Sequence, residues 1–247
     1  MKISIITVVY NGEKTIADTI RSVIGQDFFN KEYIIVDGAS TDNTLKVVSQ
    51  YEEHIASVIS EPDGGIYDAM NKGIAMATGD VIGILNADDV YASNQILSKV
   101  AQNLDQPEKM GCYGDLVYVD ETGTKIKRKW ISGNYTPQSF LWGWMPPHPT
   151  LFLRKQVYEQ FGMFNLEMGS AADYELMLRM MYKHKVFVDY IPEILVKMRV
   201  GGVSNMSLKN RIKANRNDRK AWSKNDLKPL PFTLLLKPLR KIPQFFQ

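Results

Sequence analysis

A single cysteine, Cys112, stands in this chain of 247 residues. No internal disulfide framework can hold such a chain together, and a reducing compartment is expected. No apolar run approaches the roughly 20 residues that a membrane-spanning helix needs. Met1 leads straight into the strand-like KISIITVVY. The charged, apolar and small-residue regions of a secretory signal are missing, so a cytoplasmic location is expected. There are no internal repeats. Of three histidines, His54 and His184 have no neighbours that suggest chemistry. Composition is otherwise that of an ordinary soluble protein, and the length allows one large α/β domain with a full core.

Charge is unevenly spread. Residues 205–247 hold 11 Lys and Arg against 2 Asp and Glu, while residues 1–204 hold 19 against 25. The body is mildly acidic and the tail strongly basic, which favours an anionic partner for the tail. Nucleic acid is a poor partner, because the body carries no basic groove.

The most informative stretch is residues 81–89, VIGILNADD. Its apolar run reads as a strand buried on both faces. It stops abruptly at Asn86, Asp88 and Asp89, acids that packing does not require. Around it, strand and helix signals alternate. Strands are predicted over 3–9, 33–36, 55–59 and 81–85. Helices are predicted from Ile16, from the cap chemistry of Ser40-Thr41-Asp42, and over 66–77, the last closed by Gly79. This β-α-β-α-β-α-β order predicts a Rossmann-like, mostly parallel sheet with helices on both faces.

After residue 110 the pattern changes. Segments 112–119 and 125–130 flank DETG and read as an antiparallel hairpin. A Pro- and Trp-rich loop, FLWGWMPPHPT, follows. A helix is predicted over 172–183, strands over 186–191 and 195–200, and a basic helix over 207–224. The last segment, LKPLPFTLLLKPLRKIPQFFQ, is apolar, cationic and interrupted by proline.

In a parallel sheet the C-terminal strand ends share one edge, where ligands bind. Four strand ends here carry polar groups: Thr7 to Asn11, Asp37, Glu61 to Asp63, and Asn86 to Asp89. Adjacent acids at such an edge suit a hard divalent cation that also binds diphosphate.

The segments SIITVVYNGEKTIADTIRSVIGQ, YIIVDGASTDNT, SEPDGGIYDAMNKGIAMATGDVIGILNADD and SAADYELMLRM, taken together, resemble a family 2 glycosyltransferase. They span residues 4 to about 181. The resemblance implies the GT-A fold over 1–204, with a nucleotide-binding half at 1–110 and an acceptor-binding half at 111–204. Residues 205–247 form a basic, amphipathic extension. It implies an inverting enzyme that moves a sugar from a nucleotide donor, UDP-linked by preference, to a hydroxyl of a glycan or lipid-linked saccharide in cell-surface polysaccharide synthesis. The cofactor would be Mg2+ or Mn2+.

Residue by residue, Thr7, Val9, Tyr10 and Asn11 match the first nucleotide loop, and Asp37 the acid that meets the uracil ring. Asp63 and Asp68 lie where the chain closes over the nucleoside. Lys72 either reaches phosphate or pairs with Asp68 across i,i+4. Asn86-Ala87-Asp88-Asp89 matches the Asp-x-Asp type of motif, with Asn86 where many members carry an acid. Asp88 and Asp89 are the metal-proximal acids by this match, one reaching the ion and the other the donor ribose or a water. Asp173 matches the general base, with Ala172 in place of the usual Glu. The other reading of Asp173 is an acid complementing a helix dipole. Arg199, followed by Gly201-Gly202-Val203-Ser204, resembles a mobile loop over the diphosphate. His148 is a candidate contact to acceptor or diphosphate. Trp142 and Trp144 either stack on a sugar or close the core.

The tail either lies on a membrane interface or packs on the catalytic domain or on a second copy, as a homodimer. Two other functions stay open at this point. One is a degenerate nucleotide-sugar-binding partner protein, suggested by Asn86 and Ala172. The other is a sugar nucleotidyltransferase, disfavoured because YNGEKT replaces the Gly-rich loop with Arg and Lys that it needs.

Overall fold

The computed structural model describes residues 1–200, 208–241 and 244. Gly201-Gly202-Val203-Ser204 and the last phenylalanines, Phe245 and Phe246, lie outside the described residues. The strands are β1 (Ile3–Val9), β2 (Lys31–Asp37), β3 (Ser57–Ser60), β4 (Val81–Ile84), β5 (Asp89–Tyr91), β6 (Gly111–Val119), β7 (Ile126–Trp130), β8 (Phe152–Arg154) and β9 (Val188–Arg199). They form one sheet in the order β3-β2-β1-β4-β8-β6-β9-β5, with β7 added beside β6. The first four strands are parallel. Strand β8 then runs antiparallel to both β4 and β6, so the second half of the sheet is mixed.

The central strands are buried from end to end because both faces are covered. Side chains alternate across the pleat. Ile6 and Val8 of β1 join Ala69, Met70 and Ile74 of helix α1 (Ile66–Met76) on one face. Ile3, Ile5 and Val9 join Ile16, Ile20 and Val23 on the other, where an earlier helix (Ile16–Ile24) buries its one apolar stripe. The two halves of the β1 pattern thus fix which layer each helix belongs to.

Three sequence readings change. Gly79 does not cap the helix before it, which ends with Ala77 extended. A Cβ at Gly79 would lie 2.6 Å from Ser4 Oγ, so glycine lets the chain pass β1 closely enough for Gly79 N–H to donate to that hydroxyl at 2.9 Å. The two strands expected over 186–191 and 195–200 are one, β9, with Pro192 inside it. The pairing register with β6 shifts on either side of Asp115, and that irregularity accommodates the proline. Strand β5 and a helix over Ile96–Asn103 were not foreseen.

The lower ends of the first strands are tied by Glu32. Its carboxylate accepts from Ser4 Oγ at 2.5 Å, from Thr78 N and Oγ1 at 2.8 and 2.6 Å, and from Lys2 Nζ at 2.9 Å. Burial pushes its pKa up, but these donors outweigh burial and hold it at about 2.

The C-terminal segment packs on the second half. Helix α2 (Ala172–Met177) carries Tyr174, whose hydroxyl accepts from Trp222 Nε1 at 2.9 Å. Trp222 belongs to helix α3 (Leu208–Lys224) and is fully buried. Helix α4 (Thr233–Leu239) follows, with Leu234 buried and Thr233 Oγ1 donating to Leu141 O at 2.6 Å.

Candidate active site

The parallel register sets Val9 beside Asp37 and Asp37 beside Ser60. Asp37 is fully buried at this edge. Its Oδ2 accepts from Ser40 N at 3.0 Å and Ser60 Oγ at 2.6 Å, while its Oδ1 is buried with no partner among the described residues. A buried carboxylate oxygen left unpaired is costly and calls for a donor from a ligand. Tyr10 and Asp63 close over the backbone that follows. A Cβ on Gly38 would lie 2.6 Å from Asp63 Oδ2 and 3.6 Å from a Tyr10 ring carbon. Glycine at position 38 leaves room for that approach.

The loop after β1 is anchored to the loop after β2. Asn11 takes φ 52°, its N–H donates to Ser40 Oγ at 2.7 Å, and its Oδ1 accepts from Thr41 N at 2.9 Å. Thr7 and Val9 supply strand backbone here. The Thr7 side chain turns into the core, accepting from Tyr33 OH at 3.1 Å, and the Val9 carbonyl accepts from Gly38 N at 2.9 Å. On the far side, Asp63 Oδ1 accepts from Gly65 N and Asp68 Oδ2 from Gly64 N, at 2.8 and 2.9 Å. Lys72 reaches Glu61 Oε1 at 2.8 Å and Pro62 O at 3.0 Å, with Asp68 farther at 3.8 Å. It acts as the clamp of this turn.

Strand β4 ends in a tight turn in which Asp89 N–H donates to Asn86 O at 3.1 Å and Asn86 Nδ2 to Asp89 Oδ2 at 3.1 Å. Asn86 Oδ1 and Asp89 Oδ1 are both buried without partners among the described residues. Burial raises the Asp89 carboxyl well above the usual carboxylate range, and the charge of Asp88 raises it further, against the Asn86 amide and Arg199. Asp88 is half-buried, and burial raises its carboxyl too. Two crowded carboxylates in a low-dielectric turn are unfavourable when both are ionised, and a proton or a cation relieves them. The donor set is therefore all oxygen, with two acids and an amide. No group of three or more His, Cys, Asp or Glu suited to a metal occurs among the described residues.

Asp173 sits half-buried near the start of α2, its Oδ1 accepting from Tyr174 N at 2.7 Å. Tyr67, at the start of α1, lies against it: burial raises the Tyr67 phenol and the Asp173 charge raises it further. Half-buried His148 is also within its field; burial lowers the imidazole and Asp173 opposes this. Phe164 packs between them, 5.3 Å from the Tyr67 ring and 5.4 Å from His148. Burial raises the phenol of Tyr118 on β6, Arg128 opposes this, and the charges of Asp89 and Asp173 raise it further.

A model of the glycosyl transferase family 2 matches residues 4–175. The chain belongs to this family. It is 32% identical over 186 residues to an uncharacterised glycosyltransferase of Mycobacterium tuberculosis, covering 72% of this chain and 68% of that one. It is 27% identical over 206 residues to a PGL/p-HBAD biosynthesis glycosyltransferase of Mycobacterium bovis, covering 82% and 78%. Among solved structures, S. aureus TarS 1–349 in complex with UDP matches with TM-score 0.68 at 21% identity, over 92% of this chain and 67% of that one. The mannosyltransferase PcManGT from Pyrobaculum calidifontis, in complex with GDP-Man and Mn2+, matches with TM-score 0.68 at 19% identity, over 95% and 68%. The fold is thus GT-A, and the chain is a nucleotide-sugar-dependent glycosyltransferase.

The structure sorts the remaining residues of this family 2 glycosyltransferase. Arg199 NH2 pairs with Asp18 at 2.5 Å, and its NH1 reaches the Asp88 carbonyl at 3.4 Å. It braces the acid turn against the first helix, and its buried Nε has no partner among the described residues. Trp144 is a core residue, donating to Ser132 O at 2.7 Å within a cluster of Tyr113, Tyr135 and Phe140. Trp142 is exposed and stacks on Phe232 at 5.4 Å. Glu175 is buried against Arg179 at 2.9 Å and Asn225 at 2.9 Å, which makes it a brace for α2. Sequence reasoning missed Tyr67, Tyr118 and Asp18. Tyr67 carried a signal, standing one residue before Asp68 in the donor-side loop. The other two come from elements distant in the chain.

Proposed function

We propose that this enzyme transfers a sugar from a UDP-linked donor, with inversion, to a hydroxyl of a glycan or lipid-linked saccharide. The observation that carries the donor reading is the single unpaired oxygen of Asp37. Uracil presents one ring N–H to such a carboxylate. Guanine presents two adjacent donors, which suit a carboxylate with both oxygens free, and Asp37 Oδ2 is already engaged by Ser40 and Ser60. Tyr10 and Asp63 border the base, with Asn11 and Asp68 fixing the loops that hold them.

Asp173 is the general base in this reading. The acceptor O–H proton passes to its carboxylate as the oxygen forms a bond to the anomeric carbon. The bond from that carbon to the diphosphate breaks on the opposite face, and its electron pair leaves with the diphosphate. Tyr67 and His148 shape the pocket around the base. Asp88 and Asp89, with Asn86 Oδ1, would hold Mg2+ or Mn2+, the kind of ion that takes few protein ligands and shares phosphate oxygens. When bound, such an ion neutralises the charge that gathers on the diphosphate. In support, TarS has been crystallised with UDP and PcManGT with GDP-Man and Mn2+.

A thermal-shift series with UDP, GDP and dTDP, each with Mn2+, tests the donor reading. Ligand at about 100 times its Kd stabilises by about 2.7 kcal/mol, which raises the midpoint of a chain this size by roughly 5–10 °C. UDP is expected to do so and GDP to leave the midpoint unchanged; a larger shift with GDP would reverse the assignment.

The tail supports a further part of the proposal, peripheral contact with the inner face of the cell membrane. Trp142, Phe232, Leu235 and Leu239 are exposed together, the last two by 64% and 53%, with Lys228 and Arg240 exposed nearby. No helix of the described residues is long and apolar enough to cross a membrane. Apolar groups flanked by cations suit an anionic bilayer surface. The double substitution Leu235→Asp with Leu239→Asp should abolish co-sedimentation with phosphatidylglycerol vesicles. Unchanged vesicle binding, or a loss of dimer in its place, would refute the membrane assignment.

A further inference from the structure

A cavity of about 230 Å³ lies between β7, the loop at 143–145 and the C-terminal segment. Its walls include Trp130, Trp144, Lys237, Arg240, Lys241 and Gln244. Lys237 is already neutralised: its Nζ lies 2.8 Å from Asp218 Oδ2 and 3.5 Å from the centre of the Tyr174 ring. Lys241 has no such partner within ion-pair distance among the described residues. Burial lowers the pKa of its ammonium, Lys237 and Arg128 lower it further, and only Asp218 and Asp173 act the other way. Arg128 itself lies 3.8 Å above the Tyr118 ring, on the same side. Lys241 and Arg240 thus line a partly closed space in which the one ion pair among the described lining residues is that of Lys237 with Asp218. Charges of one sign are not held in low dielectric without return, and an anion that enters would relieve them. The cavity also keeps uncharged capacity. Gln244 is buried, with Oε1 unpaired among the described residues, so it can accept from a hydroxyl.

The position of this cavity gives the anion its meaning. Lys237, on the cavity wall, lies over the ring of Tyr174, the residue that follows Asp173 on α2. Arg128 stands two residues before the cavity-lining Trp130 on β7 and lies over the ring of Tyr118, its partner on β6.

We propose that this cavity is an acceptor subsite for an anionic group, a phosphate or carboxylate carried by the saccharide that receives the sugar, with Lys241 as its counter-charge and Gln244 as a hydroxyl acceptor. The inference rests on the reading of Asp173 as the base.

The test uses the full chain saturated with UDP and Mn2+, titrated with methyl glucoside, glucose 6-phosphate and glucuronate. At least one anionic sugar should bind about tenfold more tightly than the neutral one, the gain of a charge-assisted contact. The phosphate and carboxylate arms show which anion is preferred. Lys241→Gln should erase that tenfold advantage, Lys241→Arg should keep it, and neither should change the Kd for UDP. Equal binding of all three sugars, no binding of either anion, or an advantage that survives Lys241→Gln would overturn the proposal. So would a loss of UDP affinity in Lys241→Gln, which would assign the cations to the donor diphosphate. UDP binding by the unmodified chain, measured in the same titrations, reports on the donor reading separately.

Discussion

Asp173→Asn is expected to retain UDP binding and to lose transfer by roughly 10²–10⁴-fold, the contribution of a well-placed general base. The substitution is close to isosteric. The amide oxygen of Asn can still accept from Tyr174 N–H, the one hydrogen bond that the Asp173 carboxylate makes to its own helix. Folding should therefore be preserved, and the loss should fall on the chemical step. Asp37 and the loop after β1, which hold the nucleotide base in this reading, lie on other elements. The binding titration and the rate of UDP release during transfer separate the two effects. Turnover at the unsubstituted rate would remove Asp173 from the mechanism. A helix-dipole role alone would show the reverse pattern, a modest loss of stability with activity intact.

The second large effect belongs to Asp89→Asn. Asp89 is 0% exposed, with one oxygen held by Asn86 and one without a partner among the described residues. Burial and the neighbouring Asp88 both disfavour its charge. Without a cation a neutral isostere should fold at least as stably, since removing an uncompensated buried charge relieves a desolvation cost. With UDP and Mn2+ the order should invert. The parent protein gains stability from Mn2+ beyond that from UDP alone, and the variant does not. Transfer in the variant should fall by about 10²-fold or more, the scale of a lost electrostatic contact to the leaving group. An Mn2+-dependent shift of equal size in both proteins would contradict the role given to Asp89.

The donor half was legible because parallel strands obey two strong rules. Fully apolar runs mark doubly covered strands, and their C-terminal ends share an edge. That placed Asp37 and the Asn86–Asp89 turn together before any coordinates. The second half obeys no such rule. Strand β9 hides behind Pro192, and β5 is only three residues long. Its neighbours come from distant parts of the chain, so Tyr118 gave no signal that the charges of Asp89 and Asp173 act on it. The tail was ambiguous for a related reason. Its prolines break the helical period, so nothing in the sequence separates Leu234, which is buried, from Leu235, which is exposed. The two tryptophans likewise looked alike, yet Trp144 closes the core and Trp142 meets the tail.

The central claim is a single displacement at the anomeric carbon, driven by Asp173 from the face opposite the UDP. It can be tested without knowing the acceptor, because water can take that place. Proton NMR during slow hydrolysis of an α-linked UDP-sugar identifies the anomer released before mutarotation. The account predicts that the β-anomer appears first and that Asp173→Asn suppresses it. First release of the α-anomer would contradict it.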